Sequence, residues 1–269
     1  MLAAAVLPAA GPQPDAAAII RQTVARNDDI LEALRGFQYH RYREIRWLDS
    51  AGKVRRTDST LHDVHISHGA PYSQLLAEDG VRLDPAALRR EEQKRSRELS
   101  RRATRSSSEL REFDQEMNER RLVMRQLPEA FHWTLHGEAL HSGRPVWILR
   151  ARPRSGWRPP TSEARILTKV AGDIWIDQQQ LRMVKIDAHI EDTFSFAWFL
   201  LRIQPGFSFR FEQSLHEDRE WLPRQATIKG AARIAGIKTV RLEIDTQYSG
   251  YRRHQSASPV VASVKGAAQ

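Results

Sequence analysis

Apolar and polar positions along this chain follow two different periods. From Asp15 to Leu34, the residues Ala16, Ile19, Ile20, Val24, Ile30, Leu31 and Leu34 recur near helical spacing. That spacing predicts an amphipathic helix with Asp15 as its N-cap and Gly36 beyond its end. The period then falls to two. Phe37–Leu48 and Val54–Ser67 are rich in aromatic and β-branched residues and flank Asp49-Ser50-Ala51-Gly52, so they read as a hairpin. Asp79-Gly80, set between Gln74–Ala77 and Val81–Leu83, predicts another.

Pro85–Leu127 interrupts the strands. It is dense in Arg, Lys and Glu, has no Gly or Pro between Ala86 and Leu127, and carries a thin apolar stripe of Leu88, Leu99, Ala103, Leu110, Phe113 and Met117. This predicts a long solvated helix docked along one narrow edge, weakest from Arg101 to Ser108, where it can divide in two. Strand signals return from Ala130 onward. Ala130–Leu140 and Pro145–Arg152 flank His141-Ser142-Gly143-Arg144, and Ile166–Val170 and Asp173–Ile176 flank Ala171-Gly172. Arg182–Ile190 follows, then Phe207–Leu215, Arg224–Ile234 and Ile237–Tyr248, the last two joined by Ala235-Gly236. Tight Gly turns at this spacing predict an antiparallel meander paired between sequence neighbours, without crossovers.

The expected class is therefore α+β, mainly β: an antiparallel sheet with one long charged helical insert at 85–127. A single domain is expected over 15–253, with residues 254–269 as a disordered tail. Residues 1–14 read as a signal-peptide remnant or a disordered start. Met1–Ala10, MLAAAVLPAA, is an apolar run closing in small residues, like the back half of a secretory signal without its basic leader. No segment reaches the ~20 apolar residues of a membrane-spanning helix.

The strand AFHWTLHGEAL, a Gly-Arg turn and VWILRARP are followed by KVAGDIWIDQQQLRMVKIDAHI, in which a strand ending Trp-Ile-Asp returns near Val184-Lys185. With EWLPRQATI and DTQYSGYRR after them, this order resembles the bacterial periplasmic lipoprotein-carrier superfamily, the LolA/LolB-like outer membrane lipoprotein-sorting proteins and their envelope-stress relatives. The resemblance covers about Ala130–Arg253, with weaker support from Asp15–Ser67. It implies a curved antiparallel sheet, an open half-barrel, wrapped around a helical lid, with a concavity that accepts acyl chains. It also implies a periplasmic or otherwise exported protein. The charged insert at 85–127 departs from the carriers proper, and no position matches the carriers' latch or membrane-insertion residues.

Composition narrows the chemistry. The chain of 269 residues has no cysteine, which excludes disulfides, thiolate metal sites and a cysteine nucleophile. Its net charge of +9 favours anionic partners. There is no Gly-x-Ser-x-Gly, Ser-x-x-Lys or His-Glu-x-x-His motif and no phosphate-cradling glycine loop, so neither a catalytic residue nor a cofactor is expected. His62, His65 and His68 form a metal-like cluster. On a strand, though, His65 points away from the other two, and no metal is expected there.

The aromatic stripes suggest a binding wall. Phe207, Phe209 and Phe211 alternate with polar residues, and Phe194, Phe196, Trp198 and Leu200 form a second line on a strand, Phe194–Leu201, whose other side is made apolar by Ala197, Phe199 and Leu201. Trp133, Trp147 and Trp175 extend such a lining, against the alternative that these rings are plain core. The expected function is non-enzymatic: an envelope protein holding a lipid, a lipoprotein acyl chain or a hydrophobic peptide. A structural or signalling module that docks a membrane surface or envelope protein through the charged helix is the second reading. There Arg89, Arg90, Arg97, Arg101, Arg102 and Arg105 would meet an anionic partner. Nucleic acid is the weakest reading, because interleaved Glu residues absorb much of that charge and no aromatics suit base stacking.

Overall fold

The computed structural model describes residues 14–26, 34, 36–67, 70–104, 121–196, 201–217, 219–234 and 238–253. Residues 1–13 of the expected signal remnant (1–14), the tail (254–269) and residues 105–120 of the charged insert lie outside the described residues.

Helix α1 (Ala16–Arg26) opens the fold, its start held by the Asp15 carboxylate, which accepts from the Ala17 N–H at 2.9 Å. Strands β1 (Phe37–Leu48), β2 (Val54–Ser67), β3 (Ala70–Glu78) and β4 (Val81–Arg82) follow as hairpins. Asp49 accepts from the Ala51 and Lys53 N–H groups and so closes the first turn. Asp79 (φ 49°) and Gly80 (φ 77°) form a left-handed pair in the turn between β3 and β4. Such primed turns match the twist of the strands they join.

Helix α2 (Pro85–Ala103) is capped by Asp84, whose side chain accepts from the Ala87 N–H at 2.7 Å. A short helix α3 (Leu127–Ala130) leads into β5 (Phe131–His141) and β6 (Arg144–Pro153). The remaining strands are β7 (Val170–Asp177), β8 (Met183–Ile190), β9 (Phe194–Phe196), β10 (Leu201–Ile203), β11 (Ser208–His216), β12 (Glu220–Ile234) and β13 (Lys238–Arg253).

All strands belong to one curved antiparallel sheet that does not close into a barrel, in the order β4-β3-β2-β1-β13-β12-β11-β8-β7-β6-β5. Most neighbours are consecutive in sequence, as the turn spacing predicts. The exceptions are β13 beside β1, β11 beside β8, and β10 beside β12. The two edges are blunted. At one, β4 is two exposed residues long, and at the other, β5 carries an irregularity in register between Leu135 and Gly137. Short or bulged edges resist pairing with another chain.

Three expectations are corrected by the structure. Ile166 lies in a 3-10 turn, Glu163–Thr168, rather than in a strand. Ala171-Gly172 is not a turn but the interior of β7, with Gly172 opposite Ala151 and Ala188. A Cβ at Gly172 would stand 2.2 Å from the Asp187 carbonyl oxygen, so glycine is required there by the close approach of β8. Phe194–Leu201 is not one strand either: Phe196 pairs with Leu201 and Phe194 with Ile203, so the chain reverses between β9 and β10. The first helix, expected to run to Leu34, is described as helix only to Arg26.

Packing follows the alternation of side chains. Ile19, Ile20 and Val24 of α1 bury against Phe131, Trp133, Leu149, Ile174, Ile176 and Met183, so α1 covers one face of β5–β8. On the opposite face, Arg150 pairs with Asp173 at 2.9 Å and Arg210 with Asp187 at 2.6 Å. One face of the sheet thus carries the helix and the other carries charge. Smaller clusters join the core: Phe37, Tyr39, Val64 and Leu222 in one, and Val146, Ile148, Val184 and Trp221 in another, with Ile148 paired to Trp175 on the face opposite α1.

Candidate functional site

Residues directly opposite each other in an antiparallel pair share a face. The pairs Leu149–Ile174, Ile174–Ile186, Ile186–Phe211 and Phe211–Ala226 therefore carry the helix-bearing face from β6 across to β12. Ala226–Thr246 and Thr246–Arg43 continue it to β1. The next row reads Ala188, Phe209, Ile228, Ile244 and Ile45. A third runs through Gly230, Leu242 and Trp47, with Phe207 lying on Gly230. Beyond the ground that α1 covers, the same face thus presents an apolar field. Phe209, Ile228, Ile244, Ile45, Leu242 and Trp47 in it are only half-buried.

Where this field meets the 3-10 turn, an apolar cavity of about 220 Å³ opens, walled by Ile166, Val170, Ala188, Ile190, Ile203, Phe207 and Phe209. The rings of Phe209 and Phe211 lie nearly parallel at 6.4 Å, two residues apart on one strand face. Phe207 and Phe209 are the two sequence-predicted rings that line the cavity. Phe211 is buried beside them.

The other predicted rings are placed differently. Trp133 is buried under α1, and its indole N–H donates to the Leu127 carbonyl at 3.0 Å. Trp147 packs against the same core. Trp175 stands on the opposite, charged face with the Lys185 ammonium 4.5 Å from its ring centroid. Phe194 is buried, and Phe196 is placed by its backbone in β9. Trp198 lies outside the described residues. Sequence reasoning missed the aliphatic half of the wall. Its signal was the alternation Ile186, Ala188, Ile190 in β8, which was read as a strand without its face being assigned.

A second, polar groove of about 340 Å³ lies on the charged face, between Arg150, Arg152, Asp173, Trp175, Asp187, His189 and Glu191. Its main charges are already matched by the Arg150–Asp173 pair.

The histidines do not gather. His62 lies opposite Arg41 and Leu75, while His65 meets the Tyr72 ring at 5.3 Å, and His68 lies outside the described residues. Burial, and then the neighbouring Arg41 and Arg43, lower the His62 pKa. Among the described residues, no group of three or more histidines and carboxylates could hold a metal ion.

Helix α2 docks on β3 through Arg102, which reaches over the Tyr72 ring at 5.8 Å and donates to the Pro71 carbonyl at 3.1 Å. Arg101 and Arg102 both donate to Glu98, and these bonds hold its carboxyl down to about 2. Arg89, Arg90 and Arg97 are exposed on this helix, and Arg105 lies outside the described residues. Among the described residues, no helix is long and apolar enough to cross a membrane.

No family model matches the sequence, and no curated protein matches it. Solved structures do. An outer membrane lipoprotein-sorting protein domain from Vibrio parahaemolyticus is similar at 10% identity over 91% of this chain and 94% of that one, with a TM-score of 0.37. A LolA superfamily protein from Nitrosomonas europaea is similar at 10% identity, over 91% and 96% of the two chains, with a TM-score of 0.34. A DUF1329 family protein from Desulfovibrio piger matches at 13% identity over 91% and 96%, also at 0.34.

Proposed function

We propose that this chain is an exported cell-envelope protein that holds an apolar ligand on the helix-bearing face of its sheet, without chemical turnover. The ligand class is a lipid, a lipoprotein acyl chain or a hydrophobic peptide. One observation carries the reading: the 220 Å³ apolar cavity opens onto a field of half-buried aliphatic and aromatic side chains. Each methylene buried there gains about 0.8 kcal/mol, so even a short stretch of chain gives measurable affinity. The apolar run at Met1–Ala10 agrees with an envelope address.

The test is mass spectrometry of lipids extracted from natively purified protein, beside a Phe209→Asp variant. Phe209 is half-buried, so the variant should stay folded and lose co-purifying lipid. Wild-type protein free of any apolar cargo, and unable to bind a neutral fluorescent apolar dye, would refute the reading. A second reading has its own observation. Arg89, Arg90 and Arg97 carry no carboxylate partner among the described residues, and Arg90 and Arg97, seven apart, share a helix face. An anionic surface could dock there. Charge reversal at Arg90 and Arg97 would then abolish binding to anionic vesicles while leaving cargo loading intact.

A further inference from the structure

The apolar field ends at a pair of unmatched cations. Arg43 and Arg41 follow Ile45 at two-residue steps along β1, so all three point to the same face. Arg43 lies opposite Thr246 and Thr60, and Arg41 opposite Tyr248 and His62, so none of their direct cross-strand neighbours is acidic. The Arg41 guanidinium donates to the Ser73 hydroxyl at 3.2 Å. Its Nε is buried without a hydrogen-bond partner. Arg43 is exposed and has no carboxylate partner among the described residues.

The acids that could have matched them are engaged elsewhere. Asp58, opposite Ile45, accepts from Arg56 at 2.6 Å and from the Trp47 indole at 2.7 Å. Glu91 of α2, which faces His62, is held by Lys94 at 2.6 Å. Other arginines of the sheet, Arg46, Arg144, Arg150 and Arg210, each meet a carboxylate. Arg41 and Arg43 thus place two guanidinium groups without a carboxylate, among the described residues, beside the apolar wall.

We propose that Arg41 and Arg43 form a headgroup site for an anionic amphiphile. Its carboxylate or phosphate accepts from the two guanidinium groups, while its chain runs along Ile45, Ile244, Ile228 and Phe209 into the cavity. This rests on the apolar-cargo reading above and adds the headgroup chemistry to it. The span fits: three strand spacings separate β1 from β11, about 14 Å, which is within reach of an extended long acyl chain. Planar guanidinium groups bind carboxylate and phosphate in a two-pronged manner and stay charged at any physiological pH. The Nε of Arg41 gains the partner that it lacks in the free protein, which removes the penalty of a buried unsatisfied donor.

The test is displacement of a neutral fluorescent apolar dye from the full chain by hexadecanoate, hexadecyl phosphate and hexadecanol. The two acidic amphiphiles should bind wild type at least about tenfold more tightly than the alcohol, the size expected of charge-assisted hydrogen bonds. Arg43→Gln, at an exposed position, and the double variant Arg41→Gln, Arg43→Gln should lose that preference with hexadecanol affinity unchanged. Arg41→Lys, Arg43→Lys should keep part of it. A preference for phosphate over carboxylate, or the reverse, tells the two headgroup sources apart and supports the site either way. Equal wild-type affinity for acid and alcohol, or a preference that survives in the double variant, overturns the headgroup site and leaves the apolar cavity standing. If neither the dye nor any of the three chains binds, the cavity reading falls and takes the headgroup site with it.

Discussion

Gly230 offers a quantitative check on how the cavity wall is built. Its φ of +151° is one that side chains rarely adopt, and a Cβ placed there would stand 2.6 Å from Cδ2, 2.9 Å from Cγ and 2.8 Å from Cα of Phe207. Ordinary carbon contacts lie at about 3.5–4.0 Å, so in a Gly230→Ala variant the ring must retreat by about 1 Å. Overpacking of this kind costs about 1–3 kcal/mol and the strained backbone about 1 kcal/mol more, a total of about 2–4 kcal/mol. Urea unfolding followed by tryptophan fluorescence reads the loss directly as a shift in midpoint. Two of the three contacts are ring atoms, so in a Phe207→Ala background the added methyl should cost at least about 1 kcal/mol less. The displaced ring should also weaken binding of a neutral apolar dye. If the glycine substitution costs the same with and without the ring, to within about 0.5 kcal/mol, Phe207 is not what Gly230 accommodates, and the account of the wall is wrong.

Three further outcomes follow from the same geometry. Asp177 is fully buried, takes Arg144 at 3.2 and 3.3 Å and accepts the Gln179 and Gln180 N–H groups, so Asp177→Ala should lower the unfolding free energy by about 3–5 kcal/mol in the same assay. The Glu98 carboxyl is depressed to about 2 by Arg101 and then Arg102. Its contribution is therefore complete above its ordinary value near 4.5 and is lost as the pH falls towards 2. Glu98→Gln should consequently differ from wild type in stability at neutral pH and converge with it in acid, as read by circular dichroism. Burial raises Tyr39 to about 12 and raises Tyr251 too, so the folded state keeps protons that the unfolded state releases. Stability should then fall as the pH climbs above 10, less steeply in Tyr39→Phe, and ultraviolet titration should show phenols that ionise only near pH 12 or on unfolding.

Strand positions were legible wherever a turn was chemically explicit. The predicted limits of β1 and β2 coincide with the observed ones because Asp49-Ser50-Ala51-Gly52 fixes both ends at once. Gly172 misled for a physical reason: local sequence cannot distinguish a glycine that turns the chain from one that admits a neighbouring backbone, and only the register of β8 decides it. The β9–β10 reversal was hidden likewise, since Phe194–Leu201 is apolar apart from Ser195 and contains no Gly, Pro, Asn or Asp to mark a turn. Of the candidate wall, Phe207 and Phe209 were visible through alternation with polar residues. Ile166 and Ile203 were not, because they reach the cavity only through tertiary placement of a 3-10 turn and a two-stranded flap. Trp175 shows the limit of composition: its ring type suggests lining, but its parity within β7 places it opposite Ile174 and Ile176.

The adjacency of β1 and β13 has a kinetic consequence. β1 has β2 on one side, but on its other side it pairs with residues 238–253, far along the chain, so the β1–β4 hairpins can join β5–β12 only after β13 has been synthesised. Contacts of such high sequence separation slow folding, because the loop-closure entropy must be met before the pairing rewards it. A growing chain of this protein consequently holds two unjoined half-sheets until β13 is available to seam them together.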